Sequence, residues 1–258
     1  MALLIQGLRT ALFYLLLASS AFVWGSLSLL VGPFLPFPQR FAFIIGVWTR
    51  MAMFFARHVV GIEVRIHGRE HIPATPCVIM AKHQSTWETF FLQTLFAPQV
   101  QVIKRELLSV PFFGWAFALI NPIAIDRSAS QQALQQLIEQ GCANLKDGVW
   151  VLIFPEGTRI PNGRVGKFSR GGAALACAAE VPVLPIAHNA ATCWPNQTWW
   201  KTPGVIDVVI GAPISPNGQD NRAIVELNTR CRDWIVQQQA DLGCVYQPHH
   251  DLAGARDA

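Results

Sequence analysis

Apolar positions fall into two regimes along the chain. From Thr10 to Phe37 the run TALFYLLLASSAFVWGSLSLLVGPFLPF is almost unbroken, and no charged residue occurs between Arg9 and Arg40. Its length exceeds the roughly 20 apolar residues that a membrane-spanning helix needs. Gly32, Pro33, Pro36 and Pro38 then break the run, because proline lacks a helical N–H and clashes with the preceding turn. A second apolar stretch, from Phe41 to about Ile62, carries Arg50, Arg57 and His58. Arg50 and Arg57 are spaced to share one helix face, where they can sit in a headgroup layer while Phe54 and Phe55 go deeper.

From residue 61 the pattern alternates. Short apolar runs of strand length (GIEVRIHG, CVIMAK, VQVIK, PIAI, VWVLIF, VPVLPIA and VIDVVIGAPI) are separated by helical patterns. The helical patterns are TWETFFLQTLF, SASQQALQQLIEQGCANLKDG, SRGGAALACAAE and NRAIVELNTRCRDWIVQQQADLG. Interleaving of this kind predicts an α/β fold, a mixed β-sheet flanked by helices, with an N-terminal apolar two-helix membrane-attachment motif. The expected division is 1–60 for the membrane-associated helices, 61–247 for the α/β domain and 248–258 for a polar, disordered tail. For the apolar region three readings stand. It can be a spanning helix, a re-entrant or interfacial pair with Arg9 and Arg40 on the same side, or a cleaved signal peptide. The positive-inside bias favours the pair, and the apolar run continues well past the small residues of LLLASSA, against the signal peptide.

Composition agrees with a soluble-type domain carrying an apolar appendage. Charged residues make up only 14% of the chain and hydrophobic ones 52%, against roughly 25% charged in ordinary soluble domains. The formal charge of +4 is too mild and too scattered for nucleic-acid binding, which wants a basic stripe or a recognisable module. It suits an anionic membrane surface or a phosphate-bearing substrate. Six cysteines are scattered without a C-x-x-C pair or a histidine at metal-ligand spacing. They point to no metal and to a reducing, cytoplasmic-side environment.

Three segments can carry chemistry. In KHQSTWETFF, His83 and Glu88 are five apart at a strand-to-helix junction. A helix starting near Ser85 lets the carboxylate hold one ring nitrogen, leaving the other to take a proton from a hydroxyl. A capping or surface histidine is the plainer alternative. In VWVLIFPEGTRIPNGRVGKFSRGG a buried strand ends in a tight turn followed by Arg159, Arg164, Lys167 and Arg170. Arginines near a helix start are natural phosphate ligands, although a solvated basic loop has the same composition. Lys104 and Arg127 each follow a strand, which brings them to the same sheet edge as His83 and Arg159. Salt bridges to Glu106 and Asp126 are their bland alternative.

The order His83-Gln-Ser-Thr-Trp-Glu88, Lys104 to Gly114, Asp126-Arg127, Phe154-Pro-Glu-Gly-Thr-Arg159 and Val181-Pro-Val-Leu-Pro-Ile186 resembles the glycerolipid acyltransferases. The likeness runs from about residue 60 to 215. It implies that His83 is the general base and Glu88 the acid that orients it. It also implies that Glu156, Gly157 and above all Arg159 bind an acceptor's phosphate, with Arg127 and Lys104 contributing. Val181 and Pro182 fall in a block associated with the acyl-donor region. The family pattern has Asp where this chain has Glu88, one methylene longer.

The resemblance implies transfer of a fatty acyl group from acyl-CoA or acyl-ACP (acyl carrier protein) to the sn-2 hydroxyl of 1-acyl-sn-glycerol-3-phosphate, giving phosphatidic acid. No bound cofactor is expected, and neither Ser85 nor any cysteine sits in a nucleophile motif, so no covalent acyl-enzyme is assigned. Partners are expected to be membrane lipids, lysophosphatidic acid and, for one donor, acyl carrier protein. The location expected is the inner membrane with the catalytic domain facing the cytoplasm. Another acceptor, lyso-ornithine lipid or glycerol 3-phosphate, and a non-catalytic lipid-binding module remain alternatives. The segment CWPNQTWW (Trp194, Trp199, Trp200) is placed either at the membrane interface, where indoles prefer to sit, or in the core.

Overall fold

A computed structural model describes residues 1–126 and 130–244. The expected tail, 248–258, lies outside the described residues. The first apolar run is a single helix, α1 (Ala2–Val31). A short turn at Gly32–Phe34 follows, and then a second helix, α2 (Phe37–Val60). Pro38 sits in the first turn of α2, where its missing N–H costs nothing. Two stretches of α2, Ala42–Val47 and Ala56–Val60, widen to π-helix. The helix ends at Gly61, whose φ of 90° is left-handed backbone that glycine adopts without strain.

All seven apolar runs of strand length are strands: β1 (Ile62–His67), β2 (Val78–Ala81), β3 (Gln99–Lys104), β4 (Ile123–Ile125), β5 (Trp150–Ile153), β6 (Val183–His188) and β7 (Gly204–Ile210). They form one sheet in the order β1-β7-β6-β2-β5-β3-β4. β6, β2, β5, β3 and β4 run parallel, and β7 joins β6 antiparallel while pairing parallel with β1. The sheet is therefore mixed. The four helical patterns become α3 (Trp87–Leu95), α5 (Ser130–Lys146), α6 (Gly171–Ala179) and α7 (Asn221–Asp241).

One helix is absent from the sequence reading: α4 (Phe113–Ala118). Six residues are too few to show a 3.6-residue period. Its start is fixed by backbone crowding, since a Cβ on Gly114 would meet the carbonyl of Leu107 at 2.4 Å.

Side chains alternate across the sheet and build two cores. Val78, Met80, Val151 and Ile153 face α5, α6 and α7, meeting Leu137, Leu175 and Leu227. Ile79, Leu152, Leu184 and Ile206 face the other way, toward α3 and the N-terminal helices, meeting Trp87, Trp48 and Phe13. Both faces of the central strands are covered, which is why those strands read as continuous apolar runs. The N-terminal hairpin is thus part of the core on one side: Phe13 is fully buried and packs edge-on against Trp194 with ring centroids 4.9 Å apart.

Candidate active site

Because β2, β3, β5 and β6 are parallel, their C-terminal ends lie along one edge of the sheet, the usual location for ligand sites in such folds. β2 sits centrally and delivers Lys82 and His83; β5 delivers Pro155 and Glu156; β6 delivers His188. His83 Nδ1 is 2.9 Å from Glu88 Oε1. The backbone N–H groups of Gln84 and Ser85 donate to the same oxygen at 2.8 and 2.7 Å. Glu88 lies in the first turn of α3, so its carboxylate also serves that helix's unpaired N–H groups.

Burial works against ionising Glu88; the His83 imidazole and the Ser85 N–H bonded to it favour it, and the balance holds it below the usual carboxylate range. A carboxylate there accepts the Nδ1–H of His83 and leaves Nε2 as the basic ring atom. The ring stacks on Phe154 with centroids 4.2 Å apart, and its side chain keeps 13% of its surface open. The extra methylene of glutamate is accommodated without loss of the bond to His83.

Around the pair lies a buried polar frame, of which the sequence singled out Glu156 alone, and in another role. Lys82 Nζ is 2.5 Å from Glu156 Oε1, and both side chains are buried. The other oxygen of Glu156 accepts the His83 backbone N–H at 2.9 Å. His188, fully buried, donates from Nε2 to the Lys82 carbonyl and accepts the Ala190 N–H at Nδ1. One nitrogen donating and one accepting describes a neutral imidazole. Burial pushes its pKa down in the same sense, outweighing the attraction of Glu88. Gln239 of α7 donates to the His188 carbonyl, and Gln84 donates to Gln239. The available signal was a polar residue closing an all-apolar strand, Lys82 after VIMA and His188 after VLPIA.

The FPEGTR segment folds as a tight turn. Gly157 donates its N–H to Phe154 O at 2.9 Å with φ at 66°, which explains glycine at that position. The Ile160 N–H then donates to the His83 carbonyl at 2.8 Å, binding this segment to the end of β2. The Arg159 guanidinium is exposed and donates to Asn196 Oδ1 at 3.0 Å. It lines a cleft with Gln84, Pro161, Asn162, Asn196 and Gln197.

The sequence reading puts Glu156 at the phosphate, whereas the structure turns both its oxygens toward Lys82 and the His83 backbone. Lys104 is exposed at the end of β3, on the same edge but two strands from β2. Arg127 lies outside the described residues.

Comparison with known proteins shows the family to which the chain belongs. A family model described as Acyltransferase matches residues 63–189, which contain His83, Glu88 and Arg159. The chain is 57% identical over 243 residues to a 1-acyl-sn-glycerol-3-phosphate acyltransferase of Pseudomonas aeruginosa, covering 94% of this chain and 95% of that one. It is 30% identical over 211 residues to the enzyme of that name from Saccharomyces cerevisiae, covering 79% and 69%. The fold matches the crystal structure of a 1-acyl-sn-glycerophosphate acyltransferase from Thermotoga maritima with a TM-score of 0.78 at 22% identity, covering 96% of this chain and all of that one. The chain is an acyltransferase of the glycerolipid family, within its 1-acyl-sn-glycerol-3-phosphate acyltransferase group.

Proposed function

We propose that the protein transfers a fatty acyl group from an acyl thioester to the sn-2 hydroxyl of 1-acyl-sn-glycerol-3-phosphate, forming phosphatidic acid. The observation that carries the mechanism is the His83–Glu88 pair, held at 2.9 Å with the carboxylate buried. Nε2 of His83 removes the hydroxyl proton as the oxygen attacks the thioester carbon. The tetrahedral intermediate collapses, the C–S bond breaks, and the imidazolium returns its proton to the departing thiolate. General-base assistance of this kind contributes about 10²–10⁴-fold. Arg159 binds the acceptor's phosphate, because an exposed guanidinium in the cleft it shares with Gln84, the residue after the base, offers a planar fork to phosphate oxygens. Lys104, exposed at the end of β3, adds positive charge along the edge. The donor is acyl-CoA or acyl-ACP.

Attachment to one leaflet of the cytoplasmic membrane, with the α/β domain in the cytoplasm, fits the way α1 is docked. Near its start Gln6 and Thr10 bond to Lys201. Toward its end Phe22 packs on Phe112, and Gly25 lies against the Phe112 backbone. A helix fastened to one domain along its length does not carry one end across a bilayer. Its outward face exposes Leu4, Leu8, Leu15 and Leu30, an apolar stripe that needs a non-aqueous neighbour. This supports the interfacial helix pair over the spanning helix.

An acceptor panel tests the assignment. Purified protein with palmitoyl-CoA or palmitoyl-ACP is given lysophosphatidic acid, glycerol 3-phosphate or lyso-ornithine lipid, and products are identified by mass spectrometry. Phosphatidic acid formed from lysophosphatidic acid, well ahead of the other products, is the expected result. Faster acylation of either alternative would overturn the acceptor assignment, and no acylation with either donor would overturn the reaction.

A further inference from the structure

Lys201 is a lysine with 1% of its surface exposed, in a loop that the catalytic pair does not touch. Its stem runs beneath the turn 195–200, and its ammonium is ringed by backbone carbonyls: Pro195 at 3.5 Å, Thr198 at 3.2 Å, Trp199 at 3.1 Å and Trp200 at 3.3 Å. The rings of Tyr14 and Trp194 lie 5.4 and 5.6 Å from the same nitrogen. No carboxylate forms a salt bridge with it among the described residues. Burial pushes its pKa down to about 8, so the ammonium stays charged at neutral pH, as four converging acceptors require.

A cation placed there holds together carbonyls that would otherwise repel one another. It closes the turn that carries Asn196, and Asn196 is the residue bonded to Arg159. The main chain of Lys201 is fastened in turn to α1: its carbonyl accepts from Gln6 at 3.1 Å, and its N–H donates to Thr10 Oγ1 at 3.3 Å. A continuous chain of bonds thus runs from α1 through Lys201 and the turn to the guanidinium.

We propose that Lys201 is a positioning residue for acceptor recognition: its buried ammonium shapes the 195–200 turn, which holds Asn196 against Arg159 and ties the phosphate site to the docking of α1. The proposal rests on Arg159 binding the phosphate, as set out above. It differs from a merely structural role in what it predicts for kinetics. Loss of a charge that only stabilises the fold lowers the amount of active protein, whereas loss of this one weakens acceptor binding and spares the chemical step.

The test is steady-state kinetics on the full-length protein in detergent, with lysophosphatidic acid varied at saturating palmitoyl-CoA. The variants are Lys201→Met, Asn196→Ala, the double variant and Arg159→Ala. Lys201→Met should raise the acceptor KM about tenfold and leave kcat within about twofold. In the Asn196→Ala background the same substitution should change KM by less than about twofold, because residues acting through one link are non-additive. An unchanged KM, a loss confined to kcat, or two effects that simply multiply would overturn the proposal. If Lys201→Met gives no folded protein, Thr10→Val takes its place: a KM rise of about threefold that vanishes with Asn196→Ala supports the link, and an unchanged KM overturns it. Arg159→Ala separates the two levels. An unchanged KM there removes the phosphate reading and the proposal with it, whereas a raised KM beside a silent Lys201→Met removes the proposal alone.

Discussion

At the scale of single residues, the site depends on one oxygen. Oε1 of Glu88 receives His83, Gln84 and Ser85 together, so its place is set by the length of a glutamate side chain. Glu88→Asp, although it restores the family's usual residue, retracts the carboxylate by about a bond length and should lower kcat roughly 10²-fold, the cost of a misplacement on that scale. Steady-state rates with both substrates saturating check this. A second expectation concerns Lys82 and Glu156. Lys82→Met leaves the buried carboxylate without its cation and should destabilise the protein by about 3–5 kcal/mol, measured by denaturant unfolding. A third concerns pH. The folded pKa of His188 is lowered, so below its unfolded value of about 6.5 the unfolded chain binds the extra proton first. Stability from this group is complete above about pH 6.5 and is lost as pH falls toward the lower folded value. His188→Gln, neutral and able to donate and accept, should flatten Tm against pH between 7 and 5. Equal slopes for variant and wild type would place the acid sensitivity elsewhere.

At the scale of elements, the strands and the four longer helices of the α/β domain were legible because burial and periodicity coincide. β2 and β5 are buried on both faces and read as unbroken apolar runs. β7 alternates between core and surface and shows it in VIDVVIG. What escaped has physical reasons. α4 is too short to display a period. The apolar run of α1 speaks equally for a spanning helix and a docked one, because the hydropathy of an element does not say what its second face touches. Docking shows in the structure, where Phe13 and Thr10 are buried against a loop nearly two hundred residues away. Phe13→Ala should therefore destabilise the whole domain by about 3–5 kcal/mol, as for other fully buried aromatics. A free, lipid-immersed α1 would instead leave domain unfolding unchanged.

Across the whole molecule, the parallel central strands collect the chemistry at one edge, and the apolar hairpin covers one face of the same sheet. His83 and Arg159 were legible as candidates because each comes after a strand and carries a side chain suited to the proposed chemistry. The frame behind them was not, since the partners of Lys82, Glu156, His188 and Lys201 come from distant parts of the chain that only the fold brings together. The most direct measurement of the central claim is thiol release from palmitoyl-CoA, with and without lysophosphatidic acid, by wild type and His83→Ala. The account predicts acceptor-dependent release that falls by about 10²–10⁴-fold in the variant, with its fold intact. A variant that keeps the wild-type rate would contradict it, and the general base would have to be another group.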